Sequence, residues 1–294
     1  MVDEGNVPQS LQKPLRALEK RGNPWGKMEK KRGAWVKEIA EDAPVKLIEK
    51  GDSADVLYFV DSISSYDDRM QGIAQATARI LAKAGIDFGV LGKLEKDSGN
   101  EVRRFGEEML FQDLKAQNTD AILDAGVKRI VTADPHAYNA LRKDYDNLPP
   151  VDHISQVICQ EVEAGRLSLT AANDEGKVYT YHDPCYLGRH NQIYEDPRRV
   201  LDAIPGLSRV EMSRSRDRSF CCGGGGLMLF YEPEEEQRMG VLRVEMAAKA
   251  GANVIVTACP FCLVNIEDAI KVAGLEGRME AIDLSELVVQ HLAA

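Results

Sequence analysis

The segment Gly126-Val127-Lys128-Arg129-Ile130-Val131-Thr132-Ala133-Asp134-Pro135-His136-Ala137 reappears 125 residues later as Gly251-Ala252-Asn253-Val254-Ile255-Val256-Thr257-Ala258-Cys259-Pro260-Phe261-Cys262. A second anchor, Asp97-Ser98-Gly99-Asn100 against Cys221-Cys222-Gly223-Gly224, is offset by 124, and Ser62 meets Cys185 at an offset of 123. Three anchors in register argue duplication of one module rather than chance likeness of two segments. A chain of 294 residues can bury two modest cores of this kind.

Each copy alternates apolar runs of strand length with helical stretches, the pattern of a parallel sheet joined by crossover helices. In the first copy, residues 56–60, 88–91 and 127–132 read as strands. Residues 66–84, 101–124 and a stretch after Pro135 read as helices, with Gly85 and Gly126 as their stops. In the second copy, strands are expected at 177–181, 207–212 and 254–257. Helices are expected at 196–204, 233–250, 260–272 and 284–292, with Pro197 at the first helical position. The acidic run at 232–236 suits the positive end of the helix that it would open. The fold class is therefore α/β: two similar modules with short, mostly parallel sheets, at 53–172 and 173–294.

Residues 1–52 stand apart as an extended N-terminal arm without strand character. A short helix at 11–21 ends at Asn23-Pro24-Trp25-Gly26, and both tryptophans, Trp25 and Trp35, lie here. The first 50 residues carry 11 Lys/Arg and 8 Asp/Glu, whereas the whole chain has a net charge of −10. The arm reads as a solvated tail, or alternatively as a docking segment for an acidic partner. The acidity of the rest argues against nucleic-acid binding. No apolar run has membrane-spanning length and residues 1–12 lack a signal pattern, so a cytoplasmic location is expected.

Five of the six cysteines cluster in the second copy, as C-x35-C-C-x36-C-x2-C: Cys185, Cys221, Cys222, Cys259 and Cys262. Each meets a non-cysteine in the first copy: Ser62, Asp97, Ser98, Asp134 and Ala137. In a reducing compartment such thiols are metal ligands or redox groups rather than disulfides. Structural zinc takes four ligands, usually as two close pairs, and a dithiol motif would use Cys259 and Cys262 alone. An iron–sulfur cluster fits better, although it ordinarily takes four thiolates; either the cluster is unusual or one cysteine is spare or reactive. Cys259 and Cys262 sit where a strand ends and a helix begins, the edge at which open α/β sheets bind ligands. Gly223 and Gly224 allow close backbone approach, and their N–H groups can hydrogen-bond to cluster sulfides. His182 could hydrogen-bond near the cluster or be a satisfied strand-end group. Cys159, on an apolar-faced helix at 154–163, reads as a core thiol, and His136 as structural.

These motifs, with Tyr181-His182-Asp183-Pro184-Cys185-Tyr186-Leu187-Gly188-Arg189 and Ala258-Cys259-Pro260-Phe261-Cys262, resemble the cysteine-rich CCG domain of heterodisulfide reductase subunits and related iron–sulfur oxidoreductases. The likeness covers about residues 20–294. It implies a [4Fe–4S] cluster on Cys185, Cys221, Cys222, Cys259 and Cys262, in some members of non-cubane form. The Asn23-Pro24-Trp25-Gly26 arm resembles the segment that joins a ferredoxin-like domain to these modules in longer relatives. The chain has no C-x2-C-x2-C run, so electrons would come from a flavoprotein or a ferredoxin-like partner, with any membrane association made through a partner. The expected function is electron relay within a larger oxidoreductase complex. The alternatives are heterodisulfide reductase-like cleavage of a disulfide at the cluster, and a zinc-binding or metal-free scaffold.

Overall fold

The computed structural model describes residues 7–173, 176–231 and 238–293. They form two compact units, one of Met1–His153 with Gly225–Pro233, the other of Ile154–Gly224 with Glu234–Ala294.

The first unit contains strands β1 (Lys46–Leu47), β2 (Val56–Tyr58), β3 (Phe88–Val90), β4 (Arg129–Thr132) and β5 (Val151–His153), in the spatial order β1-β3-β2-β4-β5. Every pairing is parallel. Its helices are α1 (Gln9–Arg21), α2 (Asp61–Tyr66), α3 (Gln71–Lys83), α4 (Asn100–Phe105), α5 (Glu108–Asp124) and α6 (Pro135–Lys143). The second unit contains β6 (Tyr179–His182), β7 (Arg209–Val210), β8 (Val254–Thr257) and β9 (Glu280–Asp283), ordered β7-β6-β8-β9 and again all parallel. Its helices are α7 (Ile154–Glu163), α8 (Glu195–Asp202), α9 (Met239–Lys249), α10 (Pro260–Val272) and α11 (Leu284–Gln290).

The duplication is written in the sheet register. Leu57 pairs with Ile130, and Thr180 pairs with Ile255, so the two central strand pairs repeat at the offsets of 123 and 125 given by the sequence anchors. Strands buried on both faces must be continuously apolar, which is why β8, Val-Ile-Val-Thr, was legible as a strand end to end. In the first unit the core gathers Leu57, Phe59, Ile130, Phe111 and Ile122 around the sheet, and Leu11 and Leu18 of α1 join it.

Several expectations need correction. The arm is neither a solvated tail nor free of strand: Trp35 is 1% exposed and meets Tyr58 edge-on, Arg32 is 3% exposed, and β1 adds a strand to the first sheet beside β3. The helix expected at 101–124 is two, because Gly106 takes φ +107° and closes α4 with a left-handed cap before α5 starts. The helix expected at 66–84 starts later, at Gln71, since Tyr66 closes α2 and Asp67 is extended. The helix expected from 233 starts at Met239, after an extended Arg238; the acidic run at 232–236 lies outside the described residues. Strands β5 and β9 went unread because Val-Asp-His and Glu-Ala-Ile-Asp are short, mixed and paired on one side only. Pro197 is the third residue of α8, not the first. The division between units falls at His153 rather than at 172/173, because α7 packs on α8 and α11.

Candidate metal centre

Parallel strands present their following loops at one edge of the sheet, and in the second unit three such segments bring all five cysteines together. Cys185 lies in the turn after β6. Cys259 is the N-cap of α10, directly after β8, and its Sγ accepts the N–H of Cys262 in the first turn at 3.4 Å. Pro260 at the first helical position supplies the fixed φ that starts α10 there. Cys221 and Cys222 come from the loop before the glycine run, where the Sγ atoms accept N–H bonds from Gly223 at 3.3 Å and Gly224 at 3.4 Å. The Cys222 and Cys262 sulfurs stand 3.3 Å apart. The sulfurs of Cys185 and Cys222 both lie within hydrogen-bonding reach of Cys221.

The loop is held tightly. The Asn265 side chain of α10 donates to the carbonyl of Cys222. A Cβ on Gly224 would stand 3.0 Å from the carbonyl oxygen of Phe261, so that position has no room for a side chain. One helix further out, a Cβ on Gly240 would meet Ala269 at 3.0 Å; this glycine lets α9 lie close on α10 and carries Arg243 towards the thiols.

Crowding decides which thiols ionise. Hydrogen bonds from Cys185 and Cys222 hold the Cys221 thiol far below the usual range. Cys185 is pushed up, first by its hydrogen bond to Cys221 and then by burial; Cys222 is pushed up by Cys221 and burial, and Cys262 by Cys222, Cys259 and burial. Five neighbouring thiolates without a cation would repel one another, so full ionisation of this set requires metal.

His182 and Arg243 complete the surroundings. A ring nitrogen of His182 lies within 4.8 Å of the Cys222 and Cys262 sulfurs, and all three residues are buried. Arg243 Nε donates to His182 Nδ1 at 2.9 Å, which places the imidazole proton on Nε2. That Nε2 is buried and has no hydrogen-bond partner among the described residues. Arg243 itself is 0% exposed. Its other partners are the carbonyl of Arg214 at 2.7 Å, the Ser219 hydroxyl at 3.5 Å and the Met246 sulfur at 4.0 Å, and among the described residues no carboxylate bonds to it. Burial lowers its pKa to about 10, against the pull of Asp183, Cys262 and Cys222. Asp183 is engaged elsewhere, in a two-pronged pair with Arg198 at 2.6 and 2.9 Å. Arg243 was missed from sequence. Its signal was there: a charged residue on the stripe of α9 that buries Gly240, Val244 and Ala247.

The donor set fits an anionic metal–sulfur group: five soft sulfurs, backbone N–H groups on three of them, a buried cation lacking a carboxylate, and an orphaned imidazole N–H. Cys159 is apart from this set, on α7, where its thiol approaches Glu163 at 3.5 Å and burial raises its pKa to about 11.

The counterpart positions of the first unit make a different kind of site. Ser62 Oγ accepts from Arg32 Nη2 at 3.0 Å, while Arg32 Nη1 pairs with Glu95 Oε1 at 2.7 Å. Glu95 also takes the N–H groups of Val60 at 3.1 Å and Asp61 at 2.9 Å. Asp61 Oδ1 takes those of Ser62 at 2.6 Å and Ser98 at 3.1 Å. Asp97 receives the Gly99 N–H at 2.9 Å, and burial together with Asp61 raises its pKa to about 7. Asp134 caps α6 through the His136 N–H at 2.8 Å, and Ala137 lies in the apolar core. His136 pairs through Nδ1 with Glu101, as a structural partner.

The sequence matches the cysteine-rich domain family, CCG, over residues 61–142 and again over 179–267. It is 39% identical, over 99% of its length, to a probable iron–sulfur-binding oxidoreductase, FadF, of Bacillus subtilis, and covers 42% of that protein. It is 34% identical over 97% of its length to an EtfAB:quinone oxidoreductase of Syntrophomonas wolfei, covering 41% of it. It is also 34% identical over 92% of its length to a component of the dihydromethanophenazine:CoB–CoM heterodisulfide reductase of Methanosarcina barkeri, covering 65% of it. The chain thus spans about two fifths of the length of the first two relatives. No helix among the described residues is long and apolar enough to cross a membrane. With matches falling on both of its sheets and taking in more than half of the chain, the protein belongs to the cysteine-rich CCG domain family.

Proposed function

We propose that Cys185, Cys221, Cys222, Cys259 and Cys262 hold one [4Fe–4S] cluster, and that the chain works as the electron-transfer part of a larger oxidoreductase. The observation that carries this is the meeting of five thiols beside His182, behind which stands buried Arg243, to which no carboxylate bonds among the described residues. When bound, the cluster supplies one-electron redox chemistry. The chain's own residues do the rest. The first turn of α10 and the loop N–H groups orient the sulfurs, and burial of Cys222, Cys259 and Cys262 keeps water from most of the site. Cys185 and Cys221 are only half-buried, which makes their side of the site the entry for an electron. Five thiol donors where a cubane takes four favour a non-cubane cluster, with the fifth thiol as a ligand rather than a spare.

The donor would be a flavoprotein or a ferredoxin-like iron–sulfur protein, in keeping with relatives named for quinone reduction and for iron–sulfur binding. A relative of Chromohalobacter salexigens, 36% identical over 99% of this chain and covered over 43% of its own length, is named a probable membrane-anchored ferredoxin. Membrane attachment of a cytoplasmic module through such a partner fits that name.

A second reading is disulfide reduction at the cluster, favoured by the heterodisulfide reductase relatives. The first unit weighs against a two-cluster version of it, because Ser62, Asp97, Ser98, Asp134 and Ala137 provide no thiol. Anaerobic reconstitution followed by iron and acid-labile sulfide analysis and EPR tests the main reading. The expected result is one cluster per chain and rapid electron exchange with a reduced flavoprotein or ferredoxin. Bound zinc, or no metal, would overturn it, and steady-state turnover of small disulfides would move the assignment to the second reading.

A further inference from the structure

We propose that Arg243 is the fixed counter-charge of the cluster and that His182 relays its charge to the sulfurs, so that this pair sets the reduction potential. The inference rests on the cluster reading above and deepens it. A guanidinium with no access to water requires a negative partner. Elsewhere in this protein that rule is obeyed: buried Arg32 has Glu95 at 2.7 Å, and buried Arg198 has Asp183 at 2.6 Å. Arg243 is as deeply buried and has instead an imidazole nitrogen, a carbonyl and a hydroxyl. Asp183 also pulls on Arg243 but is already paired with Arg198; the negative charge left over in its neighbourhood is that of the thiolates, with Cys222 and Cys262 beside the His182 ring.

The guanidinium can only donate, so His182 receives it on Nδ1 and presents an N–H at Nε2. That N–H has no acceptor among the described residues. An anionic sulfur is the acceptor it lacks. The pair is therefore a charge-assisted relay: cation, neutral imidazole, sulfur.

The duplication supplies an independent control. At the offset of 123, His182 corresponds to Phe59, and at 125, Arg243 corresponds to Asn118. The module that has no cysteines also lacks the imidazole and the cation. Asn118 is equally buried, but its amide closes on backbone carbonyls of the neighbouring loop, at Asp97 (3.0 Å) and Lys96 (3.3 Å), and on Tyr145. One scaffold position thus carries a neutral amide where the loop is polar and a cation where the loop is sulfur.

Each electron taken up adds one negative charge to the thiolate-bound group, supplied in a titration by dithionite. A fixed positive charge stabilises that reduced state, and its removal lowers the midpoint. The experiment is an EPR-monitored redox titration of the reconstituted full chain as wild type, Arg243→Gln, Arg243→Lys and His182→Phe, with iron and sulfide content measured on each. Arg243→Gln is expected to lower the midpoint by about 59 mV or more, a tenfold fall in the one-electron equilibrium constant. Arg243→Lys should restore most of it, and His182→Phe, which copies the first module, should lower it in the same direction. A fully loaded Arg243→Gln with the wild-type midpoint would overturn the proposal. If Arg243→Gln folds but does not load, retention of the cluster by Arg243→Lys supports the role of charge, and equal loss in both overturns it. If Arg243→Gln does not fold, the His182→Phe midpoint decides, downward in favour and unchanged against. Wild type without iron would remove the cluster reading itself, a result distinct from a loaded wild type whose variants do not shift.

Discussion

The two units carry the same strand order around the same register, yet their corresponding loops solve opposite problems. In the first, Arg32, Glu95, Asp61, Ser62 and Ser98 satisfy one another through hydrogen bonds of 2.6–3.1 Å. In the second, the thiols and Arg243 leave charge and hydrogen-bonding capacity over, for something that is not protein. A polar network can close on itself because oxygen and nitrogen are strong donors and acceptors at short range. Sulfur is a weak one, and crowded thiols all become ions together only around a metal. The comparison teaches that one scaffold can either close on its own side chains or leave buried capacity unmet, and it is the unmet version that the proposed cluster would complete.

The largest effect should come from the ligands. Replacing Cys259 or Cys222 by Ser is expected to abolish stoichiometric iron and sulfide binding, whereas Ser62→Ala in the first unit leaves it unchanged; metal analysis of the reconstituted variants checks both. Arg32→Ala should destabilise the first unit by about 3–5 kcal/mol, because it leaves the buried Glu95 carboxylate unpaired. Urea unfolding would read this, and a change below about 1 kcal/mol would contradict the idea that the first site is held by its ion pair. Gly240→Ala should cost about 1–3 kcal/mol by pushing α9 from α10, and cluster content should fall with it.

A smaller effect separates the units by pH. Asp97 has a folded pKa raised to about 7, above its unfolded value, so the folded state binds the extra proton. Its contribution to stability is complete below about pH 4 and is lost as pH rises through 7. Asp97→Asn should therefore flatten the decline between pH 4.5 and pH 7.5 relative to wild type, at unchanged iron content; parallel curves for the two proteins would reject the shift. The smallest effect belongs to the sixth cysteine. Cys159→Ala should keep full iron content and change stability by less than about 1 kcal/mol, since its thiol makes a long contact with Glu163 and stands apart from the other five.

Much of this fold is legible in the sequence alone. Apolar runs such as 254–257 and the Pro260 start of α10 announce β8 and its helix through local preference alone. The duplication was visible because the same local preferences recur in order. The arm was not legible, since Trp35 and Arg32 are held by β2 and Glu95, far along the chain, and no neighbour in sequence signals this. The break at Gly106 was hidden because glycine is tolerated inside a helix and only the observed φ reveals the stop.

For the site, spacing and residue chemistry determined which five side chains are ligand candidates, because thiolate softness and the C-x-x-C turn are properties of short segments. Tertiary structure alone decided that the five meet, that His182 offers its Nε2 proton, and that Arg243 stands behind it with no carboxylate bonded to it among the described residues. The physical reason is that charge compensation acts through space. Arg243 lies 61 residues from His182 along the chain and 2.9 Å from it in the fold, so only the packing of α9 on α10 brings the counter-charge to the site.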